Sequence, residues 1–151
     1  MAEVAPAVTV RPAELGDFAA IASLLAELGR PALTPEDAGA ARAVYERHVA
    51  RADTAPLVAV EGGALVGFLS IEFRERLNRT RLQAWIPDLI VTEAHRGRGA
   101  GRALLLAAIA LAERRGCWSV QLESGSSRRI AHALYRSAGL VDEGSYWIRY
   151  L

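Results

Sequence analysis

The sequence predicts an α+β fold of three layers (α/β/α). In this fold a mixed, mostly antiparallel sheet of six to seven strands carries helices on both faces. Short apolar runs typical of strands alternate with segments that have helical periodicity. Two apolar runs flank Gly62-Gly63, a hairpin signal that makes part of the sheet antiparallel. A later strand, glycine turn, helix and strand form a crossover that sets two strands parallel. The predicted order is β-α-α-β-β-β-α-β-α-β-β.

The N-terminal half is predicted to form a strand, two helices and a hairpin. Residues 8–11 have the pattern of a strand, and residues 12–28 that of a helix whose apolar side chains recur on one face. A second helix is expected from residue 34 to about residue 49, because a threonine, a proline and two acidic residues form a capped start. Strands 57–61 and 64–73 flank the paired glycines.

The C-terminal half is predicted to alternate strands with helices and to end in two short strands. Its elements are a basic loop (74–81), a strand (85–91), a glycine turn followed by an apolar helix that ends at 114–116, a strand (118–123), a helix (128–137) and strands at 140–143 and 145–151.

Length and composition predict one domain over residues 1–151 with a hydrophobic core of its own. The formal net charge is +1 and 52% of residues are hydrophobic, values that argue against disorder. The single cysteine, Cys117, excludes an internal disulfide and a cysteine-based zinc cluster. Because His48, His95 and His132 lack the spacing of metal ligands, no metal site is expected.

The sequence also predicts a cytoplasmic protein without membrane contact. The first residues lack the basic start and apolar stretch of a secretion signal. The longest apolar run, residues 103–112, is too short to span a bilayer.

The glycine turn after the strand 85–91 is the strongest functional signal. Gly97, Gly99 and Gly101 precede an apolar helix, whose first backbone N–H groups have no acceptor within the helix. The positive end of the helix adds to those donors, so the turn suits a phosphate or pyrophosphate. Arg96, Arg98 and Arg102 add positive charge around it. Such turns also occur purely for packing.

Two other phosphate-binding motifs do not fit this turn. A dinucleotide-binding fingerprint begun at Gly97 requires glycine where Arg102 stands. A P-loop requires a lysine, and this chain has none.

Two motifs in this region resemble the GNAT superfamily of N-acetyltransferases. The stretch Arg96-Gly-Arg-Gly-Ala-Gly101 matches the superfamily signature Gln/Arg-x-x-Gly-x-Gly/Ala. Residues 128–140 are similar to a second pattern, Asn-x-x-Ala-x-x-Leu-Tyr-x-x-x-Gly-Phe, with departures at Arg128 and Leu140. The order of elements agrees along nearly the whole chain. The Arg128 departure affects one expected coenzyme contact, whereas Leu140 is a packing substitution.

The resemblance implies transfer of an acetyl group from coenzyme A to a primary amine, without a metal. It also implies that the fourth and fifth strands diverge and expose backbone groups to the pantetheine arm. Pro87 fits such a break in pairing, although prolines early in strands are also common without any function. The residues implied to bind acetyl-CoA are Leu89, Ile90, Val91, Arg96, Gly97, Arg98, Gly99, Ala100, Gly101, Arg102 and Arg128.

Three side chains are candidates for proton transfer. The resemblance assigns Tyr135 as the general acid toward the departing thiolate, although its helical spacing with Ala131 and Ala138 also fits a core residue. The attacking amine must lose a proton. Asp88 and Glu72 are the candidate bases, with solvated strand carboxylates or an ordered water as the alternatives.

Two other functions are compatible with parts of the sequence. A catalytically inactive acyl-CoA sensor or regulatory module would keep the fold and the turn. The arginines at 74, 76, 79 and 81 fit a nucleic-acid contact, but a solvated loop is favoured, since overall charge is near zero. The terminal strand offers an edge for a possible homodimer. The acceptor amine is not specified by the sequence.

Overall fold

The computed structural model describes residue 4 and residues 6–151. Its main elements are β1 (Val8–Pro12), α1 (Phe18–Glu27), α2 (Ala38–Ala50), β2 (Leu57–Glu61), β3 (Ala64–Arg74), β4 (Gln83–Val91), α3 (Ala100–Arg114), β5 (Ser119–Leu122) and α4 (Arg129–Ser137). Within the described residues, no helix has the length and apolar character that crossing a bilayer requires.

The strands form one sheet in the order β1-β2-β3-β4-β5. The first three neighbouring pairs are antiparallel, and β4 pairs with β5 in parallel, as the sequence predicts. The β2–β3 hairpin closes with Glu61 opposite Ala64. Gly62 and Gly63 both have positive φ, at 59° and 80°, which the tight turn requires and glycine adopts without steric cost.

Helices cover both faces of the sheet, each over its own apolar cluster. On one face, Leu69 of β3 packs with Leu104 and Leu105 of α3 in a cluster that we call the α3–α4 cluster. On the other face, Phe68 of β3 packs with Ile21 of α1 in the α1–α2 cluster. Because neighbouring residues of a strand point to opposite faces, the long apolar run of β3 supplies both clusters.

The first two helices begin later than the sequence predicts. A 3-10 turn, Leu15–Asp17, precedes α1. The side chain of Asp17 accepts a bond from the Glu14 backbone N–H at 2.8 Å, which fixes this separate turn. Before α2, the Thr34 hydroxyl donates to the Asp37 carboxylate at 2.8 Å and stabilises a turn there. Local side-chain bonds of this kind compete with the helix.

Among the described residues the sheet has five strands and the two predicted C-terminal strands are absent, so the expectation of six to seven strands is wrong. Residues 140–151 adopt no strand, and the large apolar side chains from Val141 onward remain exposed. Apolar alternation predicts a strand, but it does not supply a hydrogen-bonding neighbour. The edge strand β5 is only four residues long.

Two arginines at the end of β3 and in the loop that follows it pack onto tryptophans. The guanidinium of Arg74 lies 3.3 Å from the ring centroid of Trp85, and that of Arg79 lies 4.0 Å from the ring centroid of Trp118. Such cation–π contacts hold the loop against the sheet. Arg74 and Arg79 therefore have a structural role in this part of the fold.

Asp17→Asn is expected to lower the free energy of unfolding by about 1 kcal/mol at pH 7. Arg11 donates to both carboxylate oxygens of Asp17, at 2.7 and 3.0 Å, and these bonds lower the pKa of Asp17 below its usual value of 3.8. The folded pKa is the lower one. The stabilisation is therefore present above the unfolded pKa and is lost as the pH falls through the folded value.

Urea unfolding at pH 7 and at pH 3 measures this effect. The difference in free energy of unfolding between wild type and Asp17→Asn should be smaller at pH 3 than at pH 7. Asp53→Asn is the matched control. It removes an exposed carboxylate that pairs with Arg51, and is expected to change stability little. An equal loss at both pH values for Asp17→Asn would contradict an electrostatic origin.

Candidate active site

The glycine turn at residues 96–101 has the open geometry that a bound anion needs. Gly97 and Gly99 have positive φ, at 76° and 92°, and nothing lies within 4 Å of the position a Cβ would take at either one. The Ala103 N–H donates to the Gly99 carbonyl at 2.9 Å as the first turn of α3 closes. The preceding N–H groups, at residues 100–102, have no acceptor within the helix. They form a group of free donors at the positive end of α3.

The three arginines of the turn differ in their partners. Arg96 donates to the Val91 carbonyl at 3.0 Å, and Arg102 donates to the Ser137 hydroxyl at 2.9 Å. These bonds fix the turn to the end of β4 and to the last turn of α4. Arg98 lies between the two positive-φ glycines, with 53% of its side chain exposed.

The edge of β4 is open next to this turn. Pairing with β5 covers only residues 83–86 of β4, and Pro87 follows immediately. The register with β3 shifts at the same point, between Ser70 and Glu72, so a bulge coincides with the end of pairing. Residues 87–91 therefore have β3 on one side and, among the described residues, no strand on the other.

The direction of the backbone groups along this open segment follows from one hydrogen bond. The Thr92 N–H donates to the Val66 carbonyl of β3 at 2.8 Å. Because N–H direction alternates along a strand, the Leu89 and Val91 N–H groups point to the open side. The Ile90 N–H points toward β3, and its side chain lies in the α1–α2 cluster.

Helix α4 lies against the turn and the end of β4. A Cβ on Gly101 would lie 3.4 Å from Leu134 of α4 and 3.6 Å from Val91. Next to Leu134, Tyr135 is 9% exposed and packs in the α3–α4 cluster. The structure thus brings Tyr135, the turn and the open edge of β4 to one region. Burial of this kind is compatible with both a core residue and an acid beside a thioester.

The two candidate bases lie on the opposite face of the sheet, beneath α1 and α2. The Asp88 carboxylate accepts a bond from the Ser70 hydroxyl at 2.8 Å, and Arg30 donates to it through Nε at 3.2 Å and Nη2 at 3.0 Å. The Glu72 carboxylate lies 3.4 Å from His48 Nε2 of α2. It also lines a cavity of about 390 Å³ at the end of β3.

The positions of Glu123 and of the predicted coenzyme contact Arg128 complete the description of this region. Trp85 donates through its indole N–H to the Glu123 carboxylate at 2.8 Å, so this carboxylate, one residue beyond β5, has a hydrogen-bond partner on β4. Arg128 is the N-cap residue of α4. In the described part of the chain, no group of three or more His, Cys, Asp or Glu side chains is placed to hold a metal ion.

Sequence reasoning missed four residues that contact the site. Arg30 and Ser70 bond to Asp88, while Glu61 and His95 form a pair beside the turn. Arg30 is separated from Asp88 by 58 residues and Glu61 from His95 by 34, so no local pattern links them.

The chain resembles known proteins along most of its length. The sequence model of the Acetyltransferase (GNAT) family matches residues 21–140. No curated protein matches the chain significantly.

Among solved structures, a protein from Agrobacterium tumefaciens assigned as an acetyltransferase is 32% identical, with a TM-score of 0.83, and the match covers 94% of this chain and 99% of that one. A ribosomal-protein-alanine N-acetyltransferase from Brucella melitensis biovar Abortus is 25% identical, with a TM-score of 0.75, over 95% of this chain and 99% of that one.

The fold is also similar to that of AAC(6')-Iy, whose structure contains a bisubstrate analog of coenzyme A. The TM-score is 0.80 at 17% identity, over 96% of this chain and 99% of that one. The family match covers most of the chain and agrees with the glycine turn and the open strand edge. The chain therefore belongs to the acetyltransferase (GNAT) family and is an N-acetyltransferase.

Proposed function

We propose that this protein transfers an acetyl group from acetyl-CoA to a primary amine of a small molecule or a protein, by direct attack of the amine on the thioester. The observation that carries this proposal is the open edge of β4 from Pro87 to Val91, which a short 3-10 turn, Glu93–His95, connects to the glycine turn. An extended pantetheine arm can pair with the strand while its pyrophosphate reaches the turn.

The turn fits a pyrophosphate. The space beside Gly97 and Gly99 is open, and a side chain at either position would occupy it. Free N–H groups at the start of α3 supply hydrogen bonds to phosphate oxygens. The exposed guanidinium of Arg98 adds a charge-assisted contact. Arg96 and Arg102 hold the turn to its neighbours through the bonds described above.

The open edge of β4 fits the pantetheine arm and the thioester. Leu89 and Val91 direct their N–H groups there, whereas the N–H group of Ile90 points toward β3 and its side chain packs in the core. An N–H group fixed at the position where the thioester oxygen gains negative charge stabilises the transition state. Because the open edge of β4 beyond the end of β5 lies in the plane of the sheet, groups from both faces can reach it.

In the proposed reaction the amine nitrogen forms a bond to the thioester carbon, and the carbon–sulfur bond breaks. Tyr135 donates its hydroxyl proton to the departing thiolate as the general acid. The excess proton on the nitrogen passes to Asp88, to Glu72 or through water. Both carboxylates lie on the α1–α2 face, so the acceptor amine approaches from that face.

The acceptor proposal covers two chemical classes. One relative is named for acetylating the alanine of a ribosomal protein, and another binds an analog of an acetylated neamine. A panel that contains alanine-terminated peptides and aminoglycosides therefore samples both a protein and a small-molecule amine.

Calorimetry with acetyl-CoA and with ADP, followed by an assay of thiol release against this panel, tests the proposal. We expect acetyl-CoA to bind with a Kd of about 1 μM to 1 mM, ADP to bind more weakly because it lacks the pantetheine arm, and thiol release to depend on the amine. Binding without amine-dependent thiol release would instead support an acyl-CoA sensor. Absence of binding at millimolar acetyl-CoA would overturn the assignment of the turn.

A further inference from the structure

A buried carboxylate lies behind the glycine turn and has no part in the reaction described above. Glu61 is the last residue of β2, and its side chain is only 3% exposed. Its Oε2 atom lies 2.5 Å from His95 Nδ1 and 3.7 Å from Arg98 Nη1. His95 precedes the turn and Arg98 lies within it.

Burial of a carboxylate raises the free energy of the folded state unless its partners compensate for the lost contact with water. A carboxylate removed from water destabilises the fold unless it is hydrogen-bonded or paired with a cation. The other residues of β2 that share the α3 face, Leu57 and Ala59, are apolar and lie in the core. Both polar partners of Glu61 lie in or next to the glycine turn: Arg98 is within it and His95 precedes it. The interaction therefore joins the β2–β3 hairpin to residues 95–98.

The turn itself has little intrinsic rigidity. Gly97 and Gly99 lack side chains that could pack, and glycine loses more conformational freedom on ordering than any other residue. A site whose donors are already in place binds its ligand more tightly, because less ordering remains to be done on binding. The buried Glu61 carboxylate, which contacts both His95 and Arg98, is suited to hold the turn in one conformation.

We propose that Glu61 is a positioning residue for the pyrophosphate of acetyl-CoA, which holds the glycine turn in its binding conformation through His95 and Arg98. The inference rests on the proposed acetyl-CoA function. Glu61 acts from the buried side and does not touch the ligand. Its hydrogen bond fixes His95 at the entry to the turn, and its charge orients the guanidinium of Arg98.

The positioning role and simple electrostatics predict opposite effects of removing Glu61 on the affinity for CoA. A negative charge close to an anion site repels the anion, so removing Glu61 would tighten binding if charge alone mattered. If Glu61 positions the turn, its removal weakens binding. The direction of the change therefore separates the two effects.

The experiment measures Kd for CoA and for ADP by calorimetry, and kcat/KM with acetyl-CoA and with acetyl-pantetheine. Acetyl-pantetheine keeps the thioester and lacks the pyrophosphate. Glu61→Leu is expected to weaken CoA and ADP about tenfold, a size typical of outer hydrogen bonds that orient a ligand-binding group. Turnover of acetyl-pantetheine should stay unchanged. Glu61→Gln keeps an oxygen that can accept from His95 and should restore part of the affinity.

Two further variants separate positioning from packing. His95→Phe is expected to weaken CoA binding by no more than Glu61→Leu does, because it leaves the Glu61–Arg98 contact in place. The double variant should bind CoA no more weakly than Glu61→Leu, since His95 acts through Glu61. Gln83→Leu is the matched control. It also replaces a buried polar side chain, 4% exposed, but at the opposite end of β4 from the turn. It is expected to leave both CoA affinity and acetyl-pantetheine turnover unchanged.

The possible failures are distinguishable. If wild-type protein binds neither CoA nor ADP, the proposed function fails and the role of Glu61 fails with it. If wild type binds CoA while Glu61→Leu binds it equally or more tightly, only the positioning role is overturned. An equal loss of acetyl-CoA and acetyl-pantetheine turnover would also overturn it, because a general structural defect affects both substrates.

Discussion

Tyr135→Phe is expected to lower kcat about a hundredfold or more, the range over which a positioned general acid contributes to rate. The affinity for CoA should stay within about twofold of wild type, since only a hydroxyl is removed from a side chain that is 9% exposed. Without the hydroxyl, the departing sulfur leaves as an unprotonated thiolate. Calorimetry with CoA and an assay of thiol release at saturating acetyl-CoA measure the two quantities separately.

Tyr45→Phe is the matched control for this variant. Tyr45 is also a buried tyrosine, 8% exposed, but it belongs to α2 on the other face, where its hydroxyl donates to the Glu14 carbonyl. Burial raises the pKa of Tyr45 to about 12, so this hydroxyl stays protonated across any practical assay range. Its removal should lower stability and leave kcat unchanged. If Tyr135→Phe keeps the wild-type kcat, Tyr135 is a packing residue.

Elements with strong local signals were predicted well from the sequence. The paired glycines place the β2–β3 turn correctly, since few residues other than glycine adopt positive φ at both positions. Helix α3 runs from Ala100 to Arg114, between the glycine turn and Gly116, as its apolar run and terminal glycine indicate. In each case neighbouring residues alone determine the conformation.

The prediction was wrong where a structure depends on a partner distant in sequence. The segment 140–151 has apolar residues typical of strands, but no strand pairs with it. In the same way, the sequence indicates the turn at 96–101 but not the carboxylate of Glu61 behind it, because the hairpin brings that residue close only after folding. Asp88 was predicted as a candidate base without Arg30, whose bond to it crosses from the end of α1 to β4.

Gly99→Ala is expected to raise KM for acetyl-CoA about a hundredfold, equivalent to the loss of one or two hydrogen bonds to a charged group. Two effects combine at this position. A Cβ would project into the open space where we propose the pyrophosphate binds, and φ at 92° disfavours any residue with a Cβ. Turnover of acetyl-pantetheine, which has no pyrophosphate, should change little. Steady-state kinetics with the two thioesters measures the contrast.

Gly116→Ala separates the loss of binding from backbone strain. Gly116 follows the other end of α3, has φ of 70°, and likewise has nothing within 4 Å of a Cβ position. Both substitutions should lower stability by a similar amount, about 1 to 2 kcal/mol, because both force a side chain into the left-handed region. Only Gly99→Ala should raise KM for acetyl-CoA. An equal rise in both variants would assign the effect to strain in α3 and remove the main support for an anion site at the turn.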